Sequence, residues 1–137
     1  MRVEVEWTGL EPGGPLWRDA RCLYAYVDAD GERLLYVGKA DFQTVRQRLG
    51  CRGKDDLFEY FRRALRVDAF SVMHGRPWPD EGRRLTSELL ADVESLLILR
   101  LRPFGNVACT RSRISRPGLS VVCVGDWPFP RRQFRDS

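Results

Sequence analysis

Apolar and polar residues alternate from the first positions of the chain. In RVEVEW, residues 2–7, Val3, Val5 and Trp7 share one face, which predicts a strand. Apolar stretches at 22–27 (CLYAYV) and 34–38 (LLYVG) predict two more. Asp30-Gly31 between them is a hairpin signal, so these two strands should pair antiparallel. The segment GLEPGGPLWRD before them is rich in Gly and Pro and predicts a loop. After Gly38 the period changes. Phe42, Val45 and Leu49 recur at helical spacing, which predicts a short amphipathic helix with Asp41 as its cap. Residues 55–66 predict a second helix, acidic at its start and basic at its end, with Leu57, Phe58, Phe61 and Leu65 on the apolar side. A strand over 69–74 follows, then a loop GRPWPDEG. A long helix SELLADVESLLILRL comes next, capped by Thr86 or Ser87 and closed before Pro103. A last short strand is predicted over 119–124. The tail WPFPRRQFRDS has two prolines and little period, and is expected to be extended or partly disordered.

This order of elements predicts an α+β fold, a small antiparallel sheet flanked by helices. A chain of 137 residues suits one domain and is too short for a large α/β barrel. The expected organisation is an N-terminal strand and loop over 1–20, a central unit over 21–107, and a C-terminal strand and basic tail over 108–137 packed on the same domain.

Composition narrows the function classes. No apolar run approaches the ~18 residues that a membrane helix needs. The charged, alternating start argues against a signal peptide. A single histidine, His74, excludes a multi-histidine metal site, and any Ser/His/Asp or Cys/His arrangement would have to pass through it. Cys22, Cys51, Cys109 and Cys123 form no CxxC pair, so a zinc ribbon or redox motif has no support. A cytoplasmic chain with reduced thiols is the simpler expectation; the alternative is two bridges in a secreted one. The formal net charge is +4, and the basic residues are nearly all arginine, the only lysines being Lys39 and Lys54. Guanidinium forks match phosphate oxygens, which makes nucleic acid a plausible partner. A GC-rich genome would also enrich arginine.

Four features stand outside the packing pattern. Glu94 falls within the apolar stripe Leu90, Val93, Leu97 and Leu101 of the long helix, where a carboxylate needs a partner or a cavity edge. Its ordinary role would be a flank glutamate paired with an arginine. In LYVGKA, residues 35–40, a strand ends at Gly38, Lys39 follows and a helix begins; glycine permits close approach, and lysine and the helix start favour an anion. A plain turn with a solvated lysine is the alternative. Tyr24, Tyr26 and Tyr36 lie on paired strands, where tyrosines usually serve packing; nearby cations would lower their pKa. His74 ends a predicted strand, and its ordinary role would be a surface or capping one.

Together these residues resemble the GIY-YIG nuclease family. Cys22-Leu23-Tyr24 stands where the family has Gly-hydrophobic-Tyr, and Tyr36-Val37-Gly38, followed by Lys39, matches the second half-motif. Arg46 matches the arginine of the next helix, Glu94 the glutamate of a later helix, and Asn106 the asparagine after a proline turn. The resemblance spans residues 21–107. It departs from the family at Cys22, which replaces the first glycine, and at Gly50, where relatives often carry Tyr or His one turn after the arginine; His74 is the candidate substitute.

The resemblance implies a metal-dependent endonuclease that hydrolyses phosphodiester bonds with one Mg²⁺ or Mn²⁺ ion. Glu94 would hold the metal. Arg46 would bind the phosphate, Tyr24 or Tyr36 would take the proton of the attacking water, and Lys39 would lower the phenol pKa. These five side chains should then converge on one face of the sheet. Gly38, Asn106 and His74 would support them. Arg48, Arg111, Arg113 and Arg116, with Arg131, Arg132 and Arg135 in the tail, would add phosphate contacts that carry little sequence information. The expected partner is nucleic acid, DNA first, with no membrane and with room for a recruiting protein. Two alternatives come from other classes: an inactive nucleic-acid-binding module, and an interaction protein whose likeness to the family is accidental.

Overall fold

The computed structural model describes residues 1–11, 13–50, 53–106 and 118–136. The elements run β1 (Arg2–Gly9), a 3-10 turn (Pro15–Arg18), β2 (Cys22–Asp28), β3 (Leu34–Ala40), α1 (Val45–Leu49), α2 (Gly53–Arg63), β4 (Phe70–Pro79), α3 (Ser87–Leu101), β5 (Ser120–Gly125) and β6 (Gln133–Arg135). The fold is α+β, as the patterning predicts. All six strands join one curled sheet in the order β3-β2-β4-β1-β5-β6. β1 and β5 are parallel, so the sheet is mixed and the expectation of an antiparallel one is corrected. Alternation marks a strand but not its direction, which the connections decide.

β4 also departs from expectation. The predicted loop GRPWPDEG is strand as far as Pro79. β2 pairs with β4 only up to Gly75, whereas β1 follows it to Pro79. Pro77 and Pro79 therefore lie where β4 has a single neighbour, which is where a sheet tolerates proline. Gly75 is a core position: a Cβ there would come within 2.9 Å of Val5 and 3.0 Å of the Trp7 ring.

The two faces of the sheet bury different sets. On one, α3 lays Leu89, Leu90, Val93, Leu96 and Leu97 over Val3, Val5, Trp7, Leu23, Ala25 and Val37. On the other, α2 packs Leu57, Phe58 and Phe61 against Tyr24, Tyr26 and Tyr36. The α3 bounds agree with the sequence; Thr86 accepts from the Leu89 N–H, and Arg102, at φ 46°, ends the helix before Pro103.

α1 is capped by Thr44, not Asp41. The Thr44 hydroxyl accepts from the Gln47 N–H while the Gln47 side chain accepts from the Thr44 N–H, a reciprocal capping box. Phe42 precedes the helix and is 84% exposed, so it does not share the buried face of Val45. The tail is ordered by β6, with Trp127 and Phe134 buried; Arg132 donates to the Cys123 and Trp127 carbonyls. Cys22 and Cys123 are buried free thiols. Cys51, Cys109, Arg111, Arg113 and Arg116 lie outside the described residues. No described helix is long and apolar enough to cross a membrane.

Candidate active-site cleft

β3 is an edge strand, and its outer side forms the wall of a cleft of about 410 Å³. Tyr36, Lys39, Asp41, Arg48, Glu94 and Asn106 are among the residues that line it. Three elements meet there: β3, the segment leading into α1, and the middle of α3.

The floor is fixed by Asn106. Its Oδ1 accepts from the Val37 N–H and its Nδ2 donates to the Val37 carbonyl, each at 2.9 Å. A buried amide thus pairs with one residue of the edge strand and ties the turn after Pro103 to β3. Both functional ends of Asn106 are engaged, so it positions the cleft and is not a ligand.

Side-chain alternation sets the rest. Gly38 pairs with Tyr24 and Lys39 with Leu23, so Lys39 projects to the α3 face while Tyr24 projects to the α2 face. The predicted convergence of five residues on one face is therefore corrected: Tyr24 belongs to the α2 face, Glu94 and Lys39 to the α3 face. Tyr36, on the edge strand, lines the cleft from the α2 side. Tyr24 is fully buried and stacks on Tyr36, ring centroids 6.1 Å apart. Burial pushes its phenol above the ordinary range, and neighbouring Tyr36 and Tyr26 push it further; Arg48 opposes them. Lys39, on the opposite face of the sheet, is not among the principal influences on the Tyr24 phenol.

Among the described residues, the arginine that lines the cleft is Arg48. Arg46, which matches the motif, is exposed and does not line it. Asp41 was missed as a cleft residue; its carboxylate is nearly buried and lies 3.8 Å from the Arg21 guanidinium. The donors that Glu94 and Asp41 offer are carboxylate oxygens, which suit a hard cation such as Mg²⁺ or Mn²⁺ held by one or two carboxylates and water.

His74 lies elsewhere. It is buried on β4 beside Tyr24, and its Nε2 is 2.7 Å from Asp19 Oδ2. Arg76 Nη2 donates to the same oxygen at 3.3 Å. Burial raises the Asp19 carboxyl, but the hydrogen bonds from His74 and Arg76 outweigh it and hold the group below its usual value. Cys22 completes this group. Asp19, Cys22 and His74 are the one cluster of three metal-ligating side chains among the described residues, with ligand atoms within 4.8 Å of one another. The spacing Asp19-x-x-Cys22 was the available signal, but nothing in the sequence brings His74 to it.

No family model, no curated protein and no solved structure matches the chain.

Proposed function

We propose that the chain is a metal-dependent phosphodiester hydrolase, a compact GIY-YIG-like endonuclease acting on nucleic acid, DNA first. The observation that carries this is the gathering of Tyr36, Lys39, Arg48 and Glu94 in one cleft from three separate elements. A phosphodiester is an anion that gains charge on its oxygens in the transition state, so cations and a positioned water are what its hydrolysis needs.

Arg48 grips the phosphate with a planar fork, and Lys39 adds a point charge from the strand edge. Tyr36, in preference to buried Tyr24, orients the attacking water and, as its phenolate, takes the water's proton to become the neutral phenol. Glu94, with Asp41 near it, offers the carboxylate oxygens for a Mg²⁺ or Mn²⁺ ion. When bound, that ion would neutralise phosphate charge and make water a better nucleophile. Phosphate contacts supply most of the affinity and little sequence information, so target choice falls to a recruiting protein or is loose.

A second reading, a binding module without cleavage, is favoured by one observation: the raised Tyr24 phenol, which leaves one tyrosine of the pair unsuited to proton transfer. The deciding experiment incubates the full chain with DNA and RNA, single- and double-stranded, with Mg²⁺, Mn²⁺ or EDTA, and analyses the end groups. Metal-dependent products with defined ends support hydrolysis. Binding without products in every metal supports the module.

A further inference from the structure

From the juxtaposition of Asp19, Cys22 and His74 we infer a second metal site, built for Zn²⁺, that clamps the 3-10 turn and the start of α1 onto the sheet. It is separate from the cleft and does not depend on the nuclease reading.

The three ligands come from three parts of the fold. Asp19 follows the 3-10 turn Pro15–Arg18, Cys22 opens β2, and His74 lies in β4, the neighbour of β2. Cys22 and His74 project from the same face of the sheet, since Tyr24, two residues from Cys22, pairs with His74. Both are 2% exposed or less, while the Asp19 side chain is 29% exposed. The cluster is therefore buried at Cys22 and His74 and reaches solvent at the Asp19 carboxylate, the side from which water would supply a fourth ligand.

The donor set selects the cation. A thiolate and an imidazole suit a borderline ion, and carboxylate oxygen completes a tetrahedral set that Zn²⁺ accepts and Mg²⁺ does not. Metal bonds of about 2.0–2.3 Å place tetrahedral ligands about 3.3–3.8 Å apart. Atoms already within 4.8 Å of one another need only small side-chain adjustments. The Asp19–His74 pair, at 2.7 Å, would open slightly to admit the ion.

Among the described residues, Arg76 is the competing cation at Asp19. It is 45% exposed and lies over the Trp78 ring, so it can withdraw into solvent. Cys22 is a buried free thiol, so an incoming ion must displace its proton. Binding forms the sulfur–metal bond and releases that proton to the buffer. The Asp19 carbonyl accepts from the Val45 N–H at 2.9 Å, the first residue of α1. Fixing Asp19 therefore fixes the helix that carries Arg48.

The test titrates the reduced full chain with Co²⁺ and then Zn²⁺. We expect a thiolate-to-cobalt charge-transfer band saturating at one equivalent, displaced by Zn²⁺ and unmoved by excess Mg²⁺, with a Zn²⁺-dependent rise in melting temperature. Cys22→Ser and His74→Gln should each lose the band and weaken Zn²⁺ binding at least tenfold. A Cys51→Ser/Cys109→Ser double variant should keep both. Should Cys22→Ser fail to fold, Asp19→Asn at the exposed lip should keep the thiolate band but weaken Zn²⁺ binding at least tenfold, and unchanged affinity in that variant would overturn the site. No band at saturating Co²⁺, a band that survives loss of Cys22, or one that disappears in the Cys51/Cys109 variant would overturn the site.

Discussion

The ring of Tyr24 occupies the space into which a side chain at position 38 would project: a Cβ on Gly38 would fall 2.5 Å from Tyr24 Cζ and Oη. The glycine of the YVG motif is thus explained by packing across the β2–β3 pair. Tyr24 cannot swing aside, because Tyr26 and Tyr36 flank it at ring-centroid distances of 5.8 and 6.1 Å. Gly38→Ala should therefore cost about 1–3 kcal/mol, the range for overpacking a core. Denaturant unfolding measures it. In a Tyr24→Leu background the penalty should shrink by half or more, and an equal penalty in both backgrounds would reject the steric account.

The same packing separates the two tyrosines in chemistry. A phenol held above its ordinary range by burial is a poor proton acceptor near neutral pH. Tyr24→Phe should leave cleavage within a few-fold of the wild type, whereas Tyr36→Phe should lower kcat by about 100-fold, the scale of general-base catalysis. Single-turnover rates on one DNA substrate decide. Equal losses in the two variants would remove Tyr36 from the role proposed for it.

Glu94→Gln keeps the volume and removes the charge. Cleavage in Mg²⁺ should fall by about 100-fold or more, while nucleic-acid binding survives and the melting temperature stays near that of the wild type. If Glu94 serves only as an ion-pair partner, stability falls and cleavage persists. That outcome would sink the cleft as a metal site.

How much of this was legible in the sequence differs by element. α3 was read to its bounds, because Thr86 caps it, Pro103 stops it and its stripe is strongly periodic. Patterning ends β4 at His74 because Pro77 and Pro79 signal a loop; their tolerance depends on β2 having ended, a tertiary fact. Patterning offers Asp41 as the cap of α1, yet Thr44-x-x-Gln47 spells a capping box, so the true start of this helix is written locally in the sequence. The cleft residues Tyr36, Lys39, Glu94 and Asn106 were all singled out from sequence. Arg48 lines the cleft and Arg46, two positions earlier, does not, because motif alignment does not fix which side of a short helix faces a strand edge. The Asp19–His74 pair spans 55 positions and leaves no local trace.

The Asp19–His74 pair predicts a pH dependence with a definite sign. The folded carboxyl is held below its unfolded value of about 3.9, so in acid the unfolded chain binds the proton first. The stabilisation is therefore complete above about pH 4 and fades as pH falls through the lower folded value. As pH falls below about 4, the unfolding free energies of the wild type and Asp19→Asn should converge. A gap that widens on acidification would contradict the depressed carboxyl.

The two arginines of α1 give the sharpest contrast between motif and geometry. Arg46 matches the family pattern and is exposed; Arg48 lines the cleft and lies near enough to Tyr24 to oppose the rise of its phenol. If the cleft binds phosphate, Arg48→Met should weaken DNA binding about tenfold or more, as expected for one charged hydrogen bond, and slow cleavage further. It should also reduce the slope of log affinity against log salt by about one. Arg46→Met should leave the cleavage rate of bound substrate nearly unchanged and cost only part of the salt slope, since a solvated charge beside the path adds attraction without touching the reacting group. Fluorescence anisotropy at several salt concentrations, with single-turnover rates alongside, separates the two. A larger rate loss for Arg46→Met than for Arg48→Met would move the phosphate out of this cleft and onto the outer face of α1.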